Sequence, residues 1–328
     1  MKNICIIGDP KGTHSISALS KYAPEDITVW ENDSRHIYTI NQICDKINVI
    51  TDLQELLDRG MKFDTVIGNP PFQESGHKAK TSSLWKKFLD KSFKLGNTVS
   101  LIIPASFTSP TKLFSYYKNN LSLIDLTIED YFKGVGSSFC RIVLHKEPQS
   151  ECKVVTKGGT YTLNMNDWDC VPKLLNDDIM SLIDRFFISQ DKQWKLSCEY
   201  HSQQYDKWKK TSEYDQRNKC IVDDGTIDVL HSTKILKTNK DHPNNHLIRV
   251  FCTVTNGTKF DVCNPGTGLS QNNIWTVCDS IEEAQELRDC LNHPDIQRLL
   301  KVFQFSNMNY YQIINKLNLN EITNHRRP

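Results

Sequence analysis

A chain of 328 residues, 38% hydrophobic and 24% charged, can bury two separate cores and has the composition of a soluble globular protein. No apolar stretch is long enough to span a bilayer, and the first residues enter a strand instead of a signal peptide, so a cytoplasmic location and no membrane partner are expected. The eleven cysteines are odd in number, scattered and free of any Cys-x-x-Cys pair, which predicts reduced thiols and no metal site, while a net charge of +1 neither requires nor forbids nucleic acid.

The first half alternates strand and helix. Asn3 to Ile7 reads as a short strand, broken by Gly8-Asp9-Pro10-Lys11-Gly12 before a helix from about Thr13 to Tyr22. Ile27 to Glu31 reads as a second strand ending in an acid, His36 to Ile47 as a helix, Asn48 to Ile50 as a third strand and Asp52 to Arg59 as a helix. Phe63 to Gly68 is an apolar run with the character of a buried parallel strand. A helix beginning near Ser83, strands at Val99 to Pro104, Leu123 to Ile128 and Phe139 to His145, and a helix at Thr111 to Asn120 complete the series. Repeated βα units of this length imply a parallel sheet covered by helices on both faces.

Chemistry in such folds collects at the carboxyl ends of strands, and the fourth strand runs into Asn69-Pro70-Pro71-Phe72. Two successive prolines remove two N–H donors and fix φ, so the chain leaves the strand as a stiff turn with outward carbonyls. The Asn69 side-chain oxygen and the Pro70 carbonyl can each accept one N–H of an exocyclic amine on a flat base, and Phe72 offers a stacking face. Gly8 and Gly12 allow the backbone after the first strand to approach a ligand closely. Glu31 stands where a carboxylate can accept both hydroxyls of a ribose; a solvated acid at a strand end is the plainer alternative. Asp52 can accept an adenine amino group or cap the helix that follows it.

At Asn69 to Phe72 the sequence resembles the S-adenosylmethionine-dependent amino-methyltransferases, above all the DNA adenine-N6 family. The polar segment Gln73 to Ser82, the Leu84-Trp85-x-x-Phe88 helix, Ile102-x-Pro104-x-Ser106-Phe107 and Val135-Gly136-Ser137-Ser138-Phe139 follow the order of the fused restriction-modification type. The resemblance covers roughly Asn3 to Lys146. It implies a doubly wound, mainly parallel, seven-stranded Rossmann-like α/β methyltransferase sheet. It also implies S-adenosylmethionine as cofactor, catalysis by Asn69, Pro70, Pro71 and Phe72, cofactor binding by Gly8, Asp9, Gly12, Glu31 and Asp52, and a substrate contact at Phe139. The loop after the first strand is sparser in glycine than the family's usual pattern.

After Pro148 the βα rhythm stops and aromatic residues appear among Lys, Gln, Asn and Ser. Residues 151–328 therefore read as a second domain, following a catalytic domain over 1–150. Lys207, Lys209 and Lys210 around Trp208 supply cations for a phosphate backbone, although a solvated lysine face would look the same. The order of elements near the end resembles an α+β target-recognition domain of the same family. Double-stranded DNA is the implied partner, with the target adenine flipped out of the helix. An RNA guanine-N2 methyltransferase, a protein-glutamine methyltransferase and a non-catalytic DNA-binding relative remain open as alternatives.

Overall fold

The computed structural model describes residues 2–71, 84–132, 138–187, 194–195, 224–231, 234–239, 241, 243–255, 257–270, 272–305 and 307–324. Two compact units divide at Val171 and Pro172.

Unit 1 is built on one sheet. Its strands are β1 (Ile4–Ile7), β2 (Ile27–Trp30), β3 (Asn48–Ile50), β4 (Phe63–Gly68), β5 (Gly96–Pro104), β6 (Leu121–Asp125), β7 (Phe139–His145), β8 (Cys152–Thr156) and β9 (Gly159–Leu163), and they lie in the order β3-β2-β1-β4-β5-β7-β6-β8-β9. The first five are mutually parallel, and β7 runs antiparallel between β5 and β6. This is the expected doubly wound Rossmann-like arrangement, with its seven strands in place. Two more strands extend it: β8 adds in parallel to β6, and β9 folds back on β8 as a hairpin. The expected division after residue 150 is therefore corrected to 171, because the hairpin's backbone bonds tie it to the sheet.

The helices of unit 1 are α1 (Thr13–Leu19), α2 (Ser34–Ile43), α3 (Leu53–Asp58), α4 (Leu84–Leu95) and α5 (Lys112–Tyr117). Side-chain caps set most of their starts. Asp33 accepts from the Arg35 N–H at α2, Asp52 from the Gln54 N–H at α3 and Thr111 from the Phe114 N–H at α5. In α4 the buried residues Trp85, Phe88, Leu89, Ser92 and Leu95 recur at three- and four-residue spacing, a single face turned to the core. Phe88 meets Trp30 edge-on at 4.6 Å between ring centres, and Trp85 meets Phe107 at 6.5 Å. The Leu-Trp-x-x-Phe and Ser-Phe motifs thus dock α4 against the strand ends. Beneath them, Ile4, Ile6, Ile27, Val29 and Ile40 form a continuous buried cluster.

Unit 2 is α+β. It holds a three-stranded sheet of β10 (Ile227–His231), β11 (Lys234–Thr238) and β14 (Gly268–Leu269), and another of β12 (Ile248–Thr253), β13 (Phe260–Cys263) and β15 (Asn273–Cys278). Helices α6 (Asp177–Phe186), α7 (Ile281–Leu291), α8 (Pro294–Val302), α9 (Tyr311–Ile314) and α10 (Leu319–Asn324) accompany them. Phe251, Cys263, Leu269 and Trp275 make one buried cluster. Ser280 caps α7 by accepting the Glu283 N–H at 3.0 Å, while the Glu283 carboxylate accepts the Asp279 N–H at 2.7 Å. Among the described residues no helix is long and apolar enough to cross a membrane.

Candidate active site

Strand register decides which residues meet. Ile7 of β1 pairs with Trp30 of β2 on one side and with Gly68 of β4 on the other, and Trp30 pairs with Ile50 of β3. One residue beyond these partners lie Gly8, Glu31, Asn69 and Thr51, which form a single row along the carboxyl edge of the sheet. Backbone bonds carry the ladder into that row: Gly8 N–H donates to Trp30 O at 3.1 Å, Glu31 N–H to Ile50 O at 3.0 Å and Asn69 N–H to Ile7 O at 3.0 Å. Between β1 and β4 the strand order reverses, since the chain proceeds from β1 outward to β2 and β3 and then returns to the other side. Open α/β folds bind their ligands in the crevice at this reversal.

Gly8 and Asn69 are the two walls of the crevice. Gly8 has φ of +70°, a left-handed conformation, and a Cβ built on it would lie 3.0 Å from the Asn69 carbonyl oxygen. A side chain at position 8 would press on the Asn69 carbonyl and strain the left-handed backbone. Pro70 is buried and Pro71 half-buried. The Asn69 Oδ1 atom is buried and meets no hydrogen-bond donor among the described residues. Unpaired buried acceptors of this kind are uncommon, because each forgoes the hydration it had in the unfolded chain.

Glu31, 5% exposed, ends β2 with its carboxylate turned inward. Oε1 accepts the N–H groups of Asn32 at 2.9 Å and Asp33 at 3.1 Å, and Oε2 lies 3.4 Å from Nδ1 of His36. His36 was not singled out by the sequence reading. Five residues beyond Glu31 and in the first turn of α2, it comes back over the strand end through the packing of the helix, which no sequence motif marks.

The other predicted cofactor residues divide in their roles. Asp9 is 1% exposed, and both its oxygens are engaged with the start of α1: Oδ1 accepts the His14 N–H at 3.1 Å, and Oδ2 accepts the Ser15 N–H and hydroxyl at 2.7 Å each. It shapes the loop from inside. Gly12, at φ +66°, abuts α2, where an added Cβ would fall 2.0 Å from Ile43 Cδ1. Its small size serves packing of α1 on α2. Asp52 is exposed; its Oδ1 accepts the Gln54 N–H at 2.8 Å and lies 3.5 Å from Lys91 Nζ. The Gln54 N–H, with Lys91 adding a smaller contribution, holds its carboxyl below the usual carboxylate range. Phe139 is buried and pairs with Pro104 in the sheet, its ring tilted on Phe132 with centres 4.7 Å apart. Phe72, Lys207, Lys209 and Lys210 lie outside the described residues.

With a narrow crevice, an acceptor at its wall and a buried acid beside it, the geometry suits a nucleoside and an amine. Residues 11–132 match the Eco57I restriction-modification methylase family. The resemblance to restriction-modification methyltransferases is borne out by that match, which falls within unit 1. No curated protein matches the chain. Among solved structures, the type IIG restriction endonuclease BpuSI aligns with a TM-score of 0.40 and 10% identity, over 96% of this chain and 55% of that one. The M protein of the type I restriction enzyme EcoKI aligns with a TM-score of 0.37 and 10% identity, over 60% of this chain and 55% of that one. TrmN from Thermus thermophilus aligns with a TM-score of 0.32 and 18% identity, over 44% of each chain. The chain spans about half the length of both restriction-modification proteins.

Proposed function

We propose that the chain is a site-specific DNA methyltransferase that uses S-adenosylmethionine to methylate the N6 amino group of adenine in double-stranded DNA. The observation that carries this reading is the buried Oδ1 of Asn69 at the reversal crevice, an acceptor with no donor among the described residues. In this reading Asn69 Oδ1 and the Pro70 carbonyl each accept one N–H of the adenine amine. Accepting both protons draws the nitrogen lone pair out of ring conjugation and orients it for attack. The amine sheds its proton after transfer, so no general base is required. Phe72 stacks on the base and Lys207, Lys209 and Lys210 meet phosphates. Unstacking a base costs a few kcal/mol, which these contacts offset in part.

The residues at the β1 and β2 ends fit the cofactor. Gly8 brings backbone to the crevice without a side chain, and among the described residues Glu31 receives backbone N–H groups on one carboxylate oxygen only, leaving the other for a ribose. Bound there, S-adenosylmethionine supplies an electrophilic methyl group on sulfur.

The test is methyl transfer from radiolabelled S-adenosylmethionine to duplex DNA, ribosomal RNA and cell protein by the purified full chain. Label recovered as N6-methyladenine in duplex DNA, with a sequence preference and with affinity falling steeply as salt rises, is the expected result. Label confined to RNA or protein, or none despite cofactor binding, overturns it.

A further inference from the structure

Glu31 is a buried carboxylate fixed on one side only. Two backbone N–H groups hold Oε1, whereas Oε2 takes no hydrogen bond from the described residues. A carboxylate tethered through one oxygen can still rotate, and rotation moves the oxygen a ribose would need. Within reach of Oε2 is His36, whose Nδ1 lies 3.4 Å away, is itself buried, and has no hydrogen-bond partner among the described residues. Arg35, the other cation on this turn, is committed elsewhere: it binds the Asp33 carboxylate at 2.6 and 3.0 Å and is exposed.

The Oε2 oxygen and the ring nitrogen thus lie side by side, and neither has a hydrogen bond from the described residues. At this distance a small turn of the ring would bring a proton on Nδ1 onto Oε2. We infer that His36 is a positioning residue that acts through Glu31: it stops the carboxylate turning and presents it to the vicinal hydroxyls of a ribonucleoside. The inference rests on the reading of Glu31 as the ribose acceptor and adds to it a residue that spacing along the strand did not indicate. Groups placed behind a ligand-binding side chain commonly tune affinity in this way.

The experiment measures binding of S-adenosylhomocysteine to the full chain by calorimetry. His36→Leu, which removes the donor, should weaken binding about tenfold, the scale of one charge-assisted hydrogen bond. His36→Asn places an amide N–H near the former Nδ1 and should restore affinity to within about threefold of the parent. In a Glu31→Gln background, His36→Leu should have no further effect, since its route to the ligand has been removed. Circular dichroism spectra and thermal midpoints of each variant show whether it folds; should His36→Leu fail to fold, His36→Phe takes its place in both the parent and the Glu31→Gln backgrounds. If Glu31→Gln weakens binding while both His36 variants bind like the parent, the role of His36 is overturned and that of Glu31 stands. If the leucine and asparagine variants lose affinity equally, His36 acts by packing and the inference is overturned. A parent chain that binds no S-adenosylhomocysteine overturns the cofactor reading and this inference together.

Discussion

Glu31 and Asp52 each follow a strand and each precede a helix, yet the two carboxylates have different tasks. Glu31 falls in the register row with Gly8 and Asn69, directly beyond Trp30, and is buried. Asp52 falls one residue past that row, because Thr51 occupies it, and is exposed over the start of α3. Trp30 joins the two ends, its indole N–H donating to Thr51 O at 2.9 Å. The lesson is that being near a strand end is too coarse a criterion for a site residue. The exact row beyond the ladder separates a buried carboxylate at Glu31 from an exposed one at Asp52.

The largest effect that separates row from periphery is expected at Asn69. In the proposed reading Asn69→Ala removes the acceptor of the substrate amine and spares the residues assigned to the cofactor. Methyl transfer should fall by roughly 100-fold or more with S-adenosylhomocysteine affinity within about twofold of the parent, the signature of an interaction made chiefly in the transition state. Near-parent turnover would remove Asn69 from the chemistry. Gly8→Val tests the opposite wall. With φ of +70° and the Asn69 carbonyl 3.0 Å from any Cβ, the β-branched side chain must force the crevice apart. Cofactor affinity should drop at least about tenfold, and stability should fall by roughly 1–3 kcal/mol, measured by denaturant titration. A variant with unchanged affinity would place the cofactor elsewhere.

Glu31→Gln sharpens the comparison directly. Losing the charge should weaken S-adenosylhomocysteine binding by roughly tenfold, since hydrogen bonds to charged groups contribute about 1.5–3 kcal/mol. Binding of duplex DNA without cofactor should change little, as read by fluorescence anisotropy. Equal loss of both would mean that the buried acid supports the fold in general and not a nucleoside in particular.

How much of this was legible in the sequence follows from how each element is stabilised. Buried parallel strands such as Phe63–Gly68 are apolar runs bounded by turns, so β1 to β7 and their alternation with helices could be read directly. The β8–β9 hairpin could not. In β9 alternate residues are exposed, as a strand at the sheet edge allows, and nothing in Gly159–Leu163 resembles a buried run. The expected boundary after residue 150 failed for this reason. In the candidate site, Asn69 was legible because two prolines mark the turn. Asp9 was not legible as an internal cap, since it lies four residues before the first residue of α1 and reaches it by folding the glycine loop back. His36 depended on a distance through space that only the packing of α2 over β2 creates.

The smallest effect is expected at Asp52, and its pH dependence tells capping from ligand binding. Asp52→Ala removes the acceptor for the Gln54 N–H and the partner of Lys91, and should lower the thermal midpoint by roughly 2–4 °C at neutral pH, the scale of one lost cap in a protein of this size. Because the native carboxyl lies below its ordinary range, its contribution is fully present above the unfolded pKa near ~4 and is lost as pH falls through the lowered native value. The gap between parent and Asp52→Ala should therefore be constant from pH 8 to about 5 and close only in more acidic solution, while Asp52→Asn, a good cap without a titrating group, should stay near the parent at neutral pH. Cofactor affinity should remain within about twofold in both variants, as fits a side chain engaged with α3. A tenfold loss of S-adenosylhomocysteine binding in Asp52→Ala, restored by Asn only in part, would instead bring Asp52 into the site beside Glu31 and show that the row beyond the ladder extends one residue further at β3 than at β2.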